Sequence, residues 1–310
     1  MDQSYDIVVA GAGIAGLTAA LTAARLGRRT LVLSGDVLGG QLLSIEKVDG
    51  YPGFPEGVPG YDLCPIAQEQ AMTAGAEFEA AEITGLEAAG DSWKITTPKG
   101  DVSARAVVVA TGANLKHLGV PGEQQLEGKG VSHCATCDGP LLKNKVAAIV
   151  GGGDSAMQEA LTLAEFASKT IILNNADALT GQPAYRERIE GNPKIEVRNN
   201  VVVEEVLGDA AVTGLKVKPV SGGDAANIET SGVFVYIGLQ PATAFLDGKV
   251  GLDAKGALPT DGQMRTELKG VFAAGTVRAG AHGRAAASAG DGAAAAIAAD
   301  QYLKDGQWRS

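Results

Sequence analysis

The stretch Asp6-Ile7-Val8-Val9-Ala10-Gly11-Ala12-Gly13-Ile14-Ala15-Gly16-Leu17 decides the fold. Residues 6–10 are a short β-rich run, and Gly11, Gly13 and Gly16 follow at once. Residues 17–26 are rich in Ala and Leu, and Gly27 is placed to cap a helix. Residues 30–33 (TLVL) then form a second strand. A strand, a glycine turn, a helix and a strand within about 30 residues is the context in which G-x-G-x-x-G reads as a dinucleotide fingerprint. Gly11 allows the tight turn, Gly13 lets the backbone approach a pyrophosphate, and Gly16 lets helix pack on strand. The helix N-terminus offers free N–H groups and a positive dipole end. The usual acid about 20 residues on, for the ribose hydroxyls, is missing. Ser34 ends that strand, with Asp36 two residues further, so Ser34 is the candidate there.

Outward from this unit, residues 35–60 are dense in Gly and Pro and read as loop, while 61–75 look helical. Residues 82–97 and 101–110 alternate and carry β-branched residues, as strands do. A second unit begins at Lys145: strand 146–150, the turn Gly151-Gly152-Gly153-Asp154-Ser155-Ala156, helix 157–167 and strand 170–173. Further strands are expected at 196–207, 214–219, 233–237 and 270–274, followed by a loop and an Ala-rich C-terminal helix. The fold class is therefore α/β, with two Rossmann-like dinucleotide-binding modules.

Composition narrows the function. The chain has 310 residues, room for two domains, and a net charge of −10, which repels nucleic acid and anionic membrane surfaces. No window holds ~18 uninterrupted apolar residues, and the apolar stretch 285–299 is broken by Asp291. The start carries two acids and no basic segment, unlike a secretory signal, so a soluble, cytoplasmic protein is expected.

Cys134-Ala135-Thr136-Cys137-Asp138 is the second chemical motif. C-x-x-C serves redox chemistry or zinc, and zinc needs four ligands, usually from two such pairs. Only Cys64, His117, His133 and His282 remain, in no ligand spacing, so a redox disulfide is favoured and no metal is expected. Asp138 could hold or deliver the proton released when the disulfide opens, or could simply be a turn residue before Gly139-Pro140. Cys64 and His133 read as structural, and Trp93 and Trp308 as packing or surface residues.

The turn at Gly151, Gly153 and Ala156 has G-x-G-x-x-A spacing after a strand, the default reading of which is a second dinucleotide. The next strand, however, ends in Asn174-Asn175-Ala176, with neither an acid at the tip for NADH nor an Arg cluster for the 2′-phosphate of NADPH. A charge-assisted hydrogen bond is worth about 1.5–3 kcal/mol, and each ~1.4 kcal/mol is tenfold in affinity, so NADPH is disfavoured by orders of magnitude. Gly151, Gly153, Asp154, Ser155, Asn174 and Asn175 are thus a nicotinamide-type site for NADH, or for no nicotinamide at all.

Taken together these residues resemble the low-molecular-weight thioredoxin reductase family along nearly the whole chain. The resemblance is carried by GAGIAGL at 11–17, GGQL at 39–42, YPGFP at 51–55, ATGA at 110–113, CATCDG at 134–139, GGGDSAMQEA at 151–160, GVFVYIG at 232–238 and GVFAAG at 270–275. The cysteine pair separates it from related ferredoxin–NADP⁺ reductases. The resemblance implies a three-layer FAD domain in two segments, 1–115 and 245–310, with a nicotinamide/disulfide domain, 116–244, inserted between them. It implies a homodimer with a swinging smaller domain, thioredoxin or a thioredoxin-like protein as partner, Cys137 beside the flavin, Cys134 as the attacking thiol and Asp138 as acid–base. By the same likeness FAD would lie against Gly11, Gly13, Ala15, Gly16, Ser34, Gly40, Gln41, Leu42, Ala110, Thr111, Gly112, Gly275, Thr276, Arg284 and Ala285.

The chain departs from the family in two places. The His-Arg-Arg that grips the 2′-phosphate is Asn174-Asn175-Ala176, and a further phosphate-side Arg is matched by Thr180. The Gly-Asp whose Asp binds the ribityl chain is Gly275-Thr276, and the following Tyr-Arg-Gln-Ala is His282-Gly283-Arg284-Ala285. Thr276 can still hydrogen-bond a hydroxyl, and Arg284 near the flavin pyrimidine would favour reduced, anionic flavin. The expected function is an FAD-dependent disulfide reductase whose donor is NADH or a source such as ferredoxin. The alternatives are an FAD-dependent dithiol oxidase using oxygen and a non-catalytic flavin redox sensor. The intact CATCDG favours the reductase.

Overall fold

The computed structural model describes residues 4–35 and 37–308, so Asp36 lies outside the described residues. The first strand–helix–strand unit is β1 (Ser4–Ala10), α1 (Ile14–Arg25) and β2 (Thr30–Leu33). A loop with a 3-10 turn at Gly40–Ser44 leads to α2 (Gly60–Thr73), β3 (Glu77–Glu79), β4 (Gly85–Ala89), β5 (Ser92–Thr97), β6 (Gly100–Val109) and β7 (Ala113–Leu115). Next come β8 (Val131–Ser132), α3 (Ala135–Asp138), β9 (Val146–Val150), α4 (Asp154–Phe166), β10 (Lys169–Leu173) and α5 (Pro183–Glu190). Then follow β11 (Ile195–Arg198), β12 (Val201–Gly208), β13 (Val212–Pro219), β14 (Ala226–Glu229), β15 (Gly232–Val235), β16 (Leu239–Pro241), β17 (Val271–Ala273) and α6 (Ala285–Asp305).

These elements form two compact units, one of residues 1–114 and 240–310, the other of 115–239. The first unit regains the chain at Gln240, earlier than the expected 245. Ala242 N–H donates to Gly112 O (3.0 Å) and the Thr243 hydroxyl to Gly256 O (2.9 Å), which ties residues 240–244 into that unit.

In the first unit the sheet runs β3-β2-β1-β6-β5-β4. The long β6 pairs antiparallel with β5 along its first half and parallel with β17 along its second. Alternation along β1 sends Ile7 and Val9 to one core and Val8 and Ala10 to the other. The first core is closed by α1 and α6, which meet through small residues. A Cβ on Gly292 would lie 2.0 Å from Ala15 O, so only glycine admits that backbone approach. The second core is closed by Leu86 of β4, Ile95 of β5 and the loop residues Leu246, Val250 and Leu258.

The second unit repeats the plan. A parallel sheet β11-β10-β9-β15-β8 carries α4 and α5 on one face, through Met157, Leu163, Tyr185 and Ile189. The antiparallel sheet β12-β13-β14 covers the other, through Val206, Leu215, Val217 and Ile228. Each unit is therefore three-layered. Two expected strands prove to be pairs. The run 82–97 is a hairpin turning at Gly90, which has positive φ (65°). The run 196–207 breaks at Asn200 (φ 57°), and its halves, β11 and β12, belong to different sheets.

Candidate active site

The first glycine turn packs against the strand beside it. Gly11 has φ 108°, and a Cβ there would lie 2.3 Å from Ala110 O; a Cβ on Gly16 would lie 1.9 Å from Gly11 O. Gly13 differs: it is the N-cap of α1 with ordinary extended backbone, and a Cβ there would meet no protein atom within 4 Å. The protein's own packing does not require glycine at this position, whereas a ligand lying on the turn would. No side chain caps α1 and its first turn holds no acid, so its leading N–H groups are left for such a ligand.

Several distant segments converge on this turn. The Cβ direction of Gly40 (φ 58°) points at Gly13 Cα, 3.5 Å away, and Gln41 Nε2 donates to Ala113 O. Leu42, beside Gln41, is half-buried against the core. Thr111 donates to Ala242 O (2.8 Å), and Thr276 Oγ1 lies 3.6 Å from where a Gly112 Cβ would stand. Gly275 (φ 76°) abuts Ala15, with 2.9 Å between the Ala15 methyl and a Gly275 Cβ. Ser34 is buried and spends its hydroxyl on Gly35 O and Glu79 O (3.2 and 3.4 Å). Arg284 is the exposed N-cap of α6 and Ala285 its first residue. This open, glycine-lined cradle fits the pyrophosphate and ribityl portions of FAD.

In sequence, Asp291 is only a break in an apolar stretch. Its carboxylate, on α6, accepts from Gly275 N (3.2 Å) and pairs with Arg278 through Nε (3.1 Å) and Nη2 (2.9 and 3.0 Å). Arg278 also donates to Thr260 Oγ1 (3.2 Å). Both charged side chains are mostly buried, at 17% and 15% exposed, so the pair latches the Gly275–Val277 turn to α6.

The second glycine turn has the same frame. A Cβ on Gly151 (φ 137°) would lie 2.2 Å from Tyr236 O, and one on Gly153 would meet nothing within 4 Å. Here, however, Asp154 stands in the first turn of α4 and accepts from Gln182 N (2.7 Å), while Ser155 is exposed. Asn174 is 2% exposed. Its Nδ2 donates to Ala178 O (3.0 Å), Asn199 Oδ1 (2.9 Å) and Ala176 O (3.3 Å), and its Oδ1 accepts from Ala176 N (3.3 Å). Its amide is thus engaged in holding the strand tip. Asn175 and Asp177 are exposed there, and Thr180 N donates to Gly152 O (2.8 Å).

Cys134 and Cys137 are joined as a disulfide, with Cα atoms 5.3 Å apart. Cys134 is the N-cap of the one-turn α3: its sulfur accepts from Cys137 N (3.1 Å) and its carbonyl from Asp138 N (3.1 Å). Ser132 Oγ accepts from Cys134 N (3.0 Å). Cys137 is exposed, while Cys134 and Asp138 are half-buried. The remaining cysteine, Cys64, is fully buried, and burial pushes its thiol up to about 11. Among the described residues no group of three or more His, Cys, Asp or Glu is placed to hold a metal ion, and no helix is long and apolar enough to cross a membrane.

Two dinucleotide folds, one bearing a C-x-x-C disulfide beside its sheet, define a disulfide oxidoreductase of the pyridine-nucleotide type. Residues 5–298 match the pyridine nucleotide-disulphide oxidoreductase family. The chain is 38% identical over 303 residues to a thioredoxin reductase of Treponema pallidum, covering 98% of each. It is also similar to the crystal structure of Lactococcus lactis thioredoxin reductase in its FR conformation (TM-score 0.94, 35% identity, 97% of this chain and 99% of that one). The thioredoxin reductase of T. acidophilum matches almost as well (TM-score 0.92, 36% identity, 97% and 99%). The chain belongs to this family of oxidoreductases, within its thioredoxin reductase branch.

Proposed function

We propose that this protein is an FAD-dependent disulfide reductase whose partner is thioredoxin or a thioredoxin-like protein. The observation that carries this reading is the Cys134–Cys137 disulfide at the N-terminus of α3, in a chain whose third cysteine is buried. FAD, when bound in the cradle of Gly13, Gly40, Gly112 and Thr276, supplies two-electron chemistry. Two electrons entering the Cys134–Cys137 bond break it, and proton uptake leaves a thiol and a thiolate. Cys134 then attacks the partner's disulfide. Attack by Cys137 on the resulting mixed disulfide reforms the internal S–S bond and releases the partner as a dithiol, with Asp138 moving the proton.

The donor is NADH or ferredoxin rather than NADPH. The stretch Asn174–Thr180 holds no basic side chain to grip a 2′-phosphate, and the Asn174 amide is already engaged. The protein acts as a homodimer in the cytoplasm, a reading that rests on family likeness; light scattering on the purified flavoprotein tests the dimer.

Anaerobic stopped-flow reduction of the bound flavin by NADPH, NADH and reduced ferredoxin tests the donor. Fast, saturable reduction by NADPH overturns this assignment. Reduction by dithiols alone, with oxygen consumed on turnover, replaces the reductase by a dithiol oxidase.

A further inference from the structure

One hydroxyl is tied to the backbone on both sides of Cys134. Tyr236 Oη donates to His133 O (2.9 Å) and receives a hydrogen bond from the Ala135 backbone N–H. The same hydroxyl lies beside the side chain of Glu159 on α4, which is only 5% exposed. Ala135 is fully buried against Ala156, Ala160 and Phe234, so the α3 turn rests on this floor of the second unit. His133, whose backbone is held here, has its ring against Val235 O (Nδ1, 3.2 Å) and edge-on to His117 (5.3 Å between centroids).

The disulfide itself anchors Cys134 to α3 while it is oxidised. When that bond opens the covalent anchor is lost, and a four-residue helix cannot hold its own N-cap. We propose that Tyr236 is a positioning residue of the redox pair: its hydroxyl clamps the backbone around Cys134 once the S–S bond is open. The inference rests on the disulfide-reductase reading and names residues of that same site.

Burial of the Tyr236 hydroxyl, with the charge of Glu159 next and that of Asp138 a smaller contributor, raises its pKa, so it stays a neutral donor at every working pH. The ionisable groups facing the clamp are Asp138 on α3, Glu159 on α4 and His133 beside β8, with His117 against His133 and Glu123 beyond it (3.7 Å).

The variant Y236F of the flavin-loaded protein removes the hydroxyl and keeps the ring. After reduction by a dithiol, the rates of Cys134 and Cys137 alkylation are followed against pH, with each cysteine resolved by peptide mass. Y236F should change the Cys134 rate relative to that of Cys137 and slow reduction of a thioredoxin-type disulfide about tenfold, the loss of one well-formed hydrogen bond. Unchanged turnover in Y236F overturns the inference. Should Y236F fold poorly, hydrogen exchange of the Cys134 and Ala135 amides in the unmodified protein decides, protection lost on reduction counting against the proposal. Failure of the reductase reading looks different: the pair in the unmodified protein reduces normally but transfers nothing to thioredoxin.

Discussion

The two glycine turns are built alike and finished differently. In both, the first glycine is pressed against the carbonyl just past the end of a neighbouring strand, Ala110 in one unit and Tyr236 in the other, and the second stands over open space. Above the first turn the helix start is bare, and the segments that meet it carry glycines at positive φ or small side chains. Above the second, Asp154 occupies the first turn and the strand tip is closed on itself by the Asn174 amide. A shared frame therefore does not imply a shared ligand. The frame is what the sheet and helix need for packing, and the ligand is chosen by side chains and loops laid over it.

The largest effects should come from the two polar latches. Asp291→Ala leaves Arg278 mostly buried and unpaired, a loss of about 3 kcal/mol, and frees the Gly275–Val277 turn. The flavin should then be lost on dilution along with stability. Asn174→Ala removes one amide from the tip and should cost about 1–3 kcal/mol, with the flavin retained. Chemical denaturation with bound-flavin absorbance as a second signal checks both. A flavin lost equally in the two variants would break the distinction between the units.

Next come the open glycines. Gly13→Ala should leave the apoprotein fold intact, because its new methyl meets no protein atom, yet reduce FAD affinity about a hundredfold where a pyrophosphate must approach. Gly153→Ala has the same free space and should change neither flavin content nor the rate with the physiological donor, if that donor is ferredoxin. A rate reduced at saturating NADH would instead show a nicotinamide lying on the second turn. Smaller for each side chain is a gain of function at the tip: Asn175→Arg and Ala176→Arg should each raise the NADPH affinity about tenfold, read from the NADPH dependence of flavin reduction. No gain would move the discrimination away from the tip.

Much of this was legible in the sequence because the frame is local. Each turn follows an apolar strand at once and opens an Ala-rich helix, so β1, α1, β9, α4 and β10 lie close to where periodicity puts them. What was hidden depends on partners far along the chain. The apolar alternation of 196–207 runs on through Asn199-Asn200, and nothing local tells that the chain changes sheets there. The α3 turn is too short to have a period. Asn174 stands where the family has its phosphate-gripping residues, and nothing local shows that its amide bonds Asn199 from another strand end. Tyr236 and His133 stand 103 residues apart, and only folding brings that hydroxyl to the cysteine pair.

The smallest expected effect contrasts the thiols of the two units. Cys64, in the first unit, is held at about 11 by burial, so at pH 8 only roughly one thousandth of it is thiolate. An unperturbed thiol of pKa ~8.5 would be roughly one quarter ionised at the same pH. Its Sγ also donates to Gly39 O (3.5 Å), and Gly39 precedes the turn that faces Gly13. Native protein treated with iodoacetamide at pH 8 should therefore take up no label. After mild reduction and removal of the reductant it should take up two, on Cys134 and Cys137, with bound flavin unchanged. A third label under native conditions would mean that the loop over Cys64 opens readily. The first unit would then be no more rigid around its cradle than the second is around its disulfide.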